Sequence, residues 1–237
     1  MKNKNLILNY LFFILLFLVL GCNNEPTTQK TAPPKVKTEA TTQPSTQKKT
    51  TQKKKKIIFF GDSLTFGYGL KDPSKGYVGV IQKMLDKEGL EYEAVNSGVS
   101  GETSSGGDGR IDWVLNQYEP EIFVLELGAN DGLRGINPEV TIKNLQSIID
   151  KVKAKYPNAK LVLAGMLAPP NMGKEFTDAF SKIYPELAKT NKAELIPFLL
   201  DGVAGIPELN LKDRIHPTEE GHIILADNVW KVIEKIL

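Results

Sequence analysis

The 237-residue chain carries 30 Lys or Arg against 28 Asp or Glu, a formal net charge of +2, and is 41% hydrophobic and 8% aromatic. Those values fit a globular protein and exclude a wholly disordered or fibrous one. The near-balance hides a division: residues 23–56 hold nine Lys and two Glu, whereas residues 57–237 hold 19 basic and 26 acidic residues, so no basic patch for nucleic acid is expected in the C-terminal part.

Residues 1–21 read as a targeting segment. Lys2 and Lys4 precede an apolar run from Leu6 to Leu20, interrupted by Asn9 and Tyr10 and ending in Val19-Leu20-Gly21-Cys22. A basic start, a short apolar stretch and a small residue before the cut form the signal-peptide pattern, and the run is shorter than the roughly 20 residues of a spanning helix. Cys22 is the only cysteine, so no internal disulfide can form. Its place directly after the apolar run resembles the lipobox of bacterial lipoproteins. That resemblance implies lipidation at Cys22 and an exported protein anchored to a membrane on the periplasmic or cell-surface side. A secretory peptide in which Cys22 is incidental is the alternative.

Residues 22–56 read as the lipidated cysteine followed by a tether rich in Thr, Gln, Lys and Pro, with too little apolar surface to offset its ordering entropy. The run Lys53–Lys56 suits anionic headgroups or wall polymers; a solvated spacer is the simpler reading and the preferred one.

From residue 57 onward short apolar runs alternate with amphipathic ones. Strands are expected at Ile57–Phe60, Glu91–Val95, Ile122–Leu127, Leu161–Met166 and Leu195–Leu199, the second being weaker and the last weakened by Pro197. Continuous apolar runs of this length suit strands buried on both faces. Val78, Ile81, Met84 and Leu85 fall at helical spacing, with Gly89 as a stop; Ile111, Val114, Leu115 and Tyr118 repeat the pattern before Pro120. Asn137-Pro138 opens a helix carrying Ile142, Leu145, Ile148, Ile149 and Val152. Phe176–Leu187 reads as a helix that Pro185 should kink or divide. Pro217-Thr218 opens the last helix, through Ile224, Leu225, Val229 and Ile233. The alternation predicts an α/β three-layer sandwich around a mainly parallel five-stranded sheet over residues 57–237. Ligands in such folds bind beyond the carboxyl ends of the strands.

The chemistry-bearing residues lie there. Gly61-Asp62-Ser63-Leu64 follows the first strand. The loop Asn96–Thr103 follows the second and holds Gly98 and Gly101, where backbone can approach a ligand closely. Gly128-Ala129-Asn130-Asp131-Gly132 follows the third, and Asn130 offers an amide donor. Asp213 stands three residues before His216, so a turn lets the acid orient the imidazole. The other histidine, His222, is expected at the surface. No cluster has zinc-ligand spacing, and neither metal nor cofactor is expected.

Each motif alone is weak. In order, Gly-Asp-Ser-Leu at 61–64, Gly101, Gly-Ala-Asn-Asp at 128–131 and Asp-Arg-Ile-His at 213–216 resemble the blocks of the SGNH hydrolases, or GDSL esterases and lipases. Val95–Ser97 with Ser100–Ser104, Glu126–Gly128 with Asn130–Gly135, and Phe180 with Ile183–Pro185 and Leu187–Lys189 resemble the branch containing acyl-CoA thioesterase I, lysophospholipase and arylesterase. The resemblance implies an SGNH (flavodoxin-like) fold and a serine hydrolase that cleaves small acyl, aryl or lysophospholipid esters or thioesters through an acyl-enzyme. It implies Ser63, Asp213 and His216 as catalytic residues. The oxyanion hole would be the Ser63 and Gly101 N–H groups and the Asn130 amide. Ala129 stands where relatives often have Gly, and Arg214 where a small residue is frequent. A carbohydrate acetyl esterase and a non-catalytic binding lipoprotein are the competing readings. Loops near 134–138 and 168–176 are expected to shape the pocket, with Ala168–Gly173 as a flap or acyl-chain wall, or equally a structural turn.

Overall fold

A computed structural model describes residues 54–237; the signal, Cys22 and tether readings fall outside the described residues, apart from the last three lysines of the tether. The elements run β1 (Lys55–Gly61), α1 (Ser63–Phe66), α2 (Tyr77–Lys87), β2 (Tyr92–Gly98), α3 (Ser104–Gln117), β3 (Ile122–Glu126), α4 (Ala129–Arg134), α5 (Pro138–Lys155), β4 (Lys160–Ala164), α6 (Lys174–Asn191), β5 (Glu194–Ile196) and α7 (Glu219–Ile233).

The five strands form one sheet in the order β2-β1-β3-β4-β5, and every pairing is parallel. The expected mainly parallel sheet is thus wholly parallel. Ile57, Ile58, Phe59 and Phe60 of β1 are all fully buried, as are Ile122, Phe123 and Val124 of β3 beside it. Burial of consecutive residues, which point to opposite faces, requires cover on both sides. That cover comes from α2 packed on α7, and from α3, α5 and α6 packed in series. Each large apolar side chain withdrawn from water this way stabilises the fold by about 1.5–3 kcal/mol.

Register decides where the loops emerge. Gly61 pairs with Gly98 on one side and with Glu126 on the other, so β2, β1 and β3 end in one row. The loops after them therefore share one edge of the sheet.

Four expectations are corrected. Strand β2 runs on to Gly98, taking in residues read as loop, and β5 stops at Ile196 because Pro197 has no N–H for the ladder. Helix α6 continues through Pro185 without dividing. Pro185 lies on its exposed face, where solvent reaches the Ser181 carbonyl that lacks a helical donor. His222 is fully buried rather than at the surface. It shares a helical face with Leu225, Ala226 and Val229, and its Nδ1 accepts a hydrogen bond from the Tyr77 N–H at 3.2 Å.

Candidate active site

The turn after β1 bends sharply because its amides have local acceptors. Asp62 is the N-cap of α1, with its carboxylate accepting from Leu64 N–H at 3.0 Å, while Phe66 N–H donates to the Asp62 carbonyl at 2.9 Å. Gly61 is required here by space: a Cβ would stand 2.2 Å from Thr65 Oγ1 and 2.3 Å from Glu126 Oε2.

His216 reaches this turn from the segment before α7. Its Nε2 lies 2.9 Å from Ser63 Oγ and its Nδ1 lies 2.8 Å from Asp213 Oδ2. An ionised carboxylate only accepts, so Nδ1 carries the proton and Nε2 is left to accept from the Ser63 hydroxyl. The other Asp213 oxygen accepts from the N–H groups of Ile215 at 2.9 Å and His216 at 3.0 Å. Partial burial pushes the Asp213 carboxyl up. The bonds from the His216 ring and from these two amides outweigh it and hold the carboxyl down to about 2. Arg214, between acid and base, adopts a left-handed φ of 60°, a conformation costly for a side-chain-bearing residue and held here by the turn around Asp213. The ring of Tyr68 packs over the His216 imidazole with centroids 4.4 Å apart.

Asn130, in the first turn of α4, directs its amide to the Asp62 carboxylate at 3.1 Å and to the Glu102 carbonyl at 3.0 Å. Ser63, Asn130 and His216 all line one cleft of about 610 Å³. Gly101 does not line it. It sits in the adjoining loop with φ of +78°, its carbonyl accepting from Arg134 Nη2 at 2.9 Å, and its N–H has no acceptor among the described residues.

Two charged groups outside the expected catalytic set hold this loop. Arg110 forms an ion pair with the nearly buried Glu102, donates to the carbonyls of Ser97 and Gly61, and lies over the Phe60 ring at 4.0 Å. Asp131, fully buried, accepts from Ser104 N–H at 2.8 Å and from Thr141 Oγ1 at 3.1 Å, tying the start of α3 to α4 and α5. Asp131 is part of the Gly-Ala-Asn-Asp block, whereas Arg110 stands in no motif.

The cleft walls are mostly apolar and include Leu133, Met166, Leu167, Pro169, Phe198 and Ile215. The loops expected to shape the pocket divide. Residues 166–170 line this cleft, whereas Gly135, Asn137–Glu139 and Met172–Phe176 line a separate hollow of similar size. Phe198, Leu200, Ala204 and Gly205, which also wall the cleft, carried no motif signal. Among the described residues no group of three His, Cys, Asp or Glu side chains could hold a metal ion, and no helix is long and apolar enough to cross a membrane.

Residues 59–224 match the model of the GDSL-like Lipase/Acylhydrolase family. The chain belongs to that family. It is 40% identical over 181 residues to Esterase TesA of Pseudomonas aeruginosa, a span covering 76% of this chain and 89% of that protein. It is 35% identical to Thioesterase 1/protease 1/lysophospholipase L1 of Escherichia coli K12, covering 76% of this chain and 84% of the relative. The crystal structure of TesA superposes with a TM-score of 0.73 at 39% identity, covering 77% of this chain and all of that one. The GDSL hydrolase is accordingly a carboxylic-ester hydrolase on an SGNH-like α/β fold.

Proposed function

We propose that Ser63 is the nucleophile of a hydrolase acting on esters and thioesters of small acyl, aryl and lysophospholipid type. The observation that carries this reading is the relay from Asp213 through His216 to Ser63, 2.8 Å and 2.9 Å long, opening on an apolar cleft. His216 takes the Ser63 proton as the oxygen attacks the carbonyl carbon, and returns it to the leaving alcohol or thiol. Asp213 holds the tautomer and stabilises the imidazolium. The oxyanion is met by Ser63 N–H, Gly101 N–H and the Asn130 amide. Water, activated by the same histidine, then frees the acid from the acyl-enzyme.

The apolar walls favour an acyl tail over the hydroxyl-rich surface of a glycan, so the acetyl-glycan alternative is the weaker reading. In the purified protein, Ser63→Ala is expected to abolish hydrolysis of p-nitrophenyl butyrate with the circular dichroism spectrum unchanged; full activity in a folded variant would overturn the assignment.

The same proposal places the enzyme on a lipid anchor at Cys22, outside the cytoplasm. The support is the run Leu6–Leu20 followed by the single cysteine. Cys22→Ala should move the protein from the membrane to the soluble fraction.

A further inference from the structure

Glu126 ends β3 beneath the Ser63 turn and is fully buried. One of its oxygens, Oε2, accepts from Asp62 N–H at 3.1 Å and from Thr65 Oγ1 at 2.7 Å. The Thr65 hydroxyl is held in turn by the Tyr77 hydroxyl at 2.7 Å. The other oxygen, Oε1, is buried without a hydrogen-bond partner. The Asp62 carboxyl, the phenols of Tyr77 and Tyr184, and the Arg110 guanidinium bound to the Gly61 carbonyl are the titratable and charged groups around it.

Local acceptors settle three amides of the turn. Asp62 N–H goes to Glu126, Leu64 N–H to the Asp62 side chain and Phe66 N–H to the Asp62 carbonyl. Ser63 N–H has no acceptor among the described residues. An N–H that must bind a developing negative charge acts best when it is already oriented and has no competing partner.

We propose that Glu126 is a positioning residue working as an uncharged acid: it takes up the neighbouring donors so that the Ser63 N–H is left free for the oxyanion. The inference rests on Ser63 being the nucleophile. A charged carboxylate with one bare oxygen and Asp62 alongside is costly in this interior. Burial, and then the charge of Asp62, push the Glu126 carboxyl well above the usual carboxylate range, which agrees with the neutral form. An acceptor is needed at Oε2; a negative charge is not. Glu126 is fully buried and does not line the cleft, so its effect is expected to fall on the transition state rather than on substrate binding.

The test compares Glu126→Gln with Glu126→Ala in the full chain, after organophosphonate labelling has identified Ser63 as the reactive serine. A failure of that labelling is a failure of the nucleophile assignment and is thereby told apart from a failure here. Glu126→Ala is expected to lower kcat about 10- to 100-fold with KM within about threefold, and to slow phosphonate inactivation by the same factor. Glu126→Gln keeps an acceptor at Oε2 and places an uncharged group at Oε1. It is expected to hold kcat within about threefold of the native enzyme, with a superimposable pH profile. A folded Glu126→Ala protein with native kcat overturns the proposal. So does a Glu126→Gln protein whose kcat falls as far as the alanine variant's, or whose pH profile moves. If the alanine variant does not fold, Glu126→Gln alone decides through its kcat and pH profile.

Discussion

Asn130 donates its side-chain amide to the carboxylate of Asp62, the residue directly before Ser63, at 3.1 Å. Its second donor bond goes to the Glu102 carbonyl at 3.0 Å, so both N–H groups of the amide are engaged. If Asn130 serves the oxyanion as proposed, one of those bonds must yield. The bond to the ionised Asp62 is the stronger kind, which makes the Glu102 carbonyl the partner that is released. Asn130→Ala should lower kcat about 10²- to 10³-fold with little change in KM. Asp62→Asn, which removes the charge that aims Asn130, should lower kcat less. Steady-state kinetics on one p-nitrophenyl ester checks both.

Asp213 fixes which nitrogen of His216 carries the proton. Asp213→Asn is expected to reduce kcat by about 10²- to 10⁴-fold, because an amide can donate to Nδ1 and impose the wrong tautomer. The native carboxyl, held down to about 2, lies below its usual 3.8. A lowered carboxyl favours the folded state above the unfolded value, and the benefit is lost only as pH falls through about 2. Carbon-13 NMR of labelled aspartate should show this carboxyl still ionised at pH 3.

His222 gives the opposite dependence. Burial, and then the nearby His216, lower its imidazole from 6.5 to about 4. The unfolded chain therefore takes up a proton below pH 6.5 that the native state does not bind, and stability falls as pH drops towards 4. At pH 5 this amounts to about 2 kcal/mol relative to pH 7. His222→Asn keeps an acceptor for Tyr77 N–H and cannot titrate. Urea unfolding at the two pH values should show that extra loss in the native protein and its absence in the variant.

The cleft should select by acyl length. Ala168 lines it beside Leu167 and Pro169, so Ala168→Trp would fill the space of two or three methylenes. At about 0.8 kcal/mol per buried methylene, kcat/KM for an octanoyl ester should fall roughly 10- to 50-fold. The acetyl ester should change little. A p-nitrophenyl series from C2 to C10 reads the shift directly.

The parallel sheet was legible because buried strands leave continuous apolar runs, and β1, β3 and β4 are such runs. The ends were less legible, since a strand stops where its pairing stops: β2 reaches Gly98 because Gly61 lies opposite it. His222 was misread because one histidine in an amphipathic helix has no polarity signal of its own; its spacing to Leu225, Ala226 and Val229 was the usable clue. The intact helix at Pro185 shows the same limit, because whether a lost hydrogen bond breaks a helix depends on which face it lies on.

What the sequence alone determined was the chemistry on offer: a serine, an acid and base three apart, a glycine loop and an asparagine, each after a strand or before the last helix. Local patterns suffice for that, because strand ends and helix starts are set by neighbouring residues. Only the tertiary structure decided their distances. The parallel register brings three strand ends into one row, and the packing of α7 on α2 carries His216 to within 2.9 Å of Ser63, across 153 residues of chain. The uncompensated oxygen of Glu126 belongs to that level too, since a buried acid becomes visible only when its partners have been counted in space.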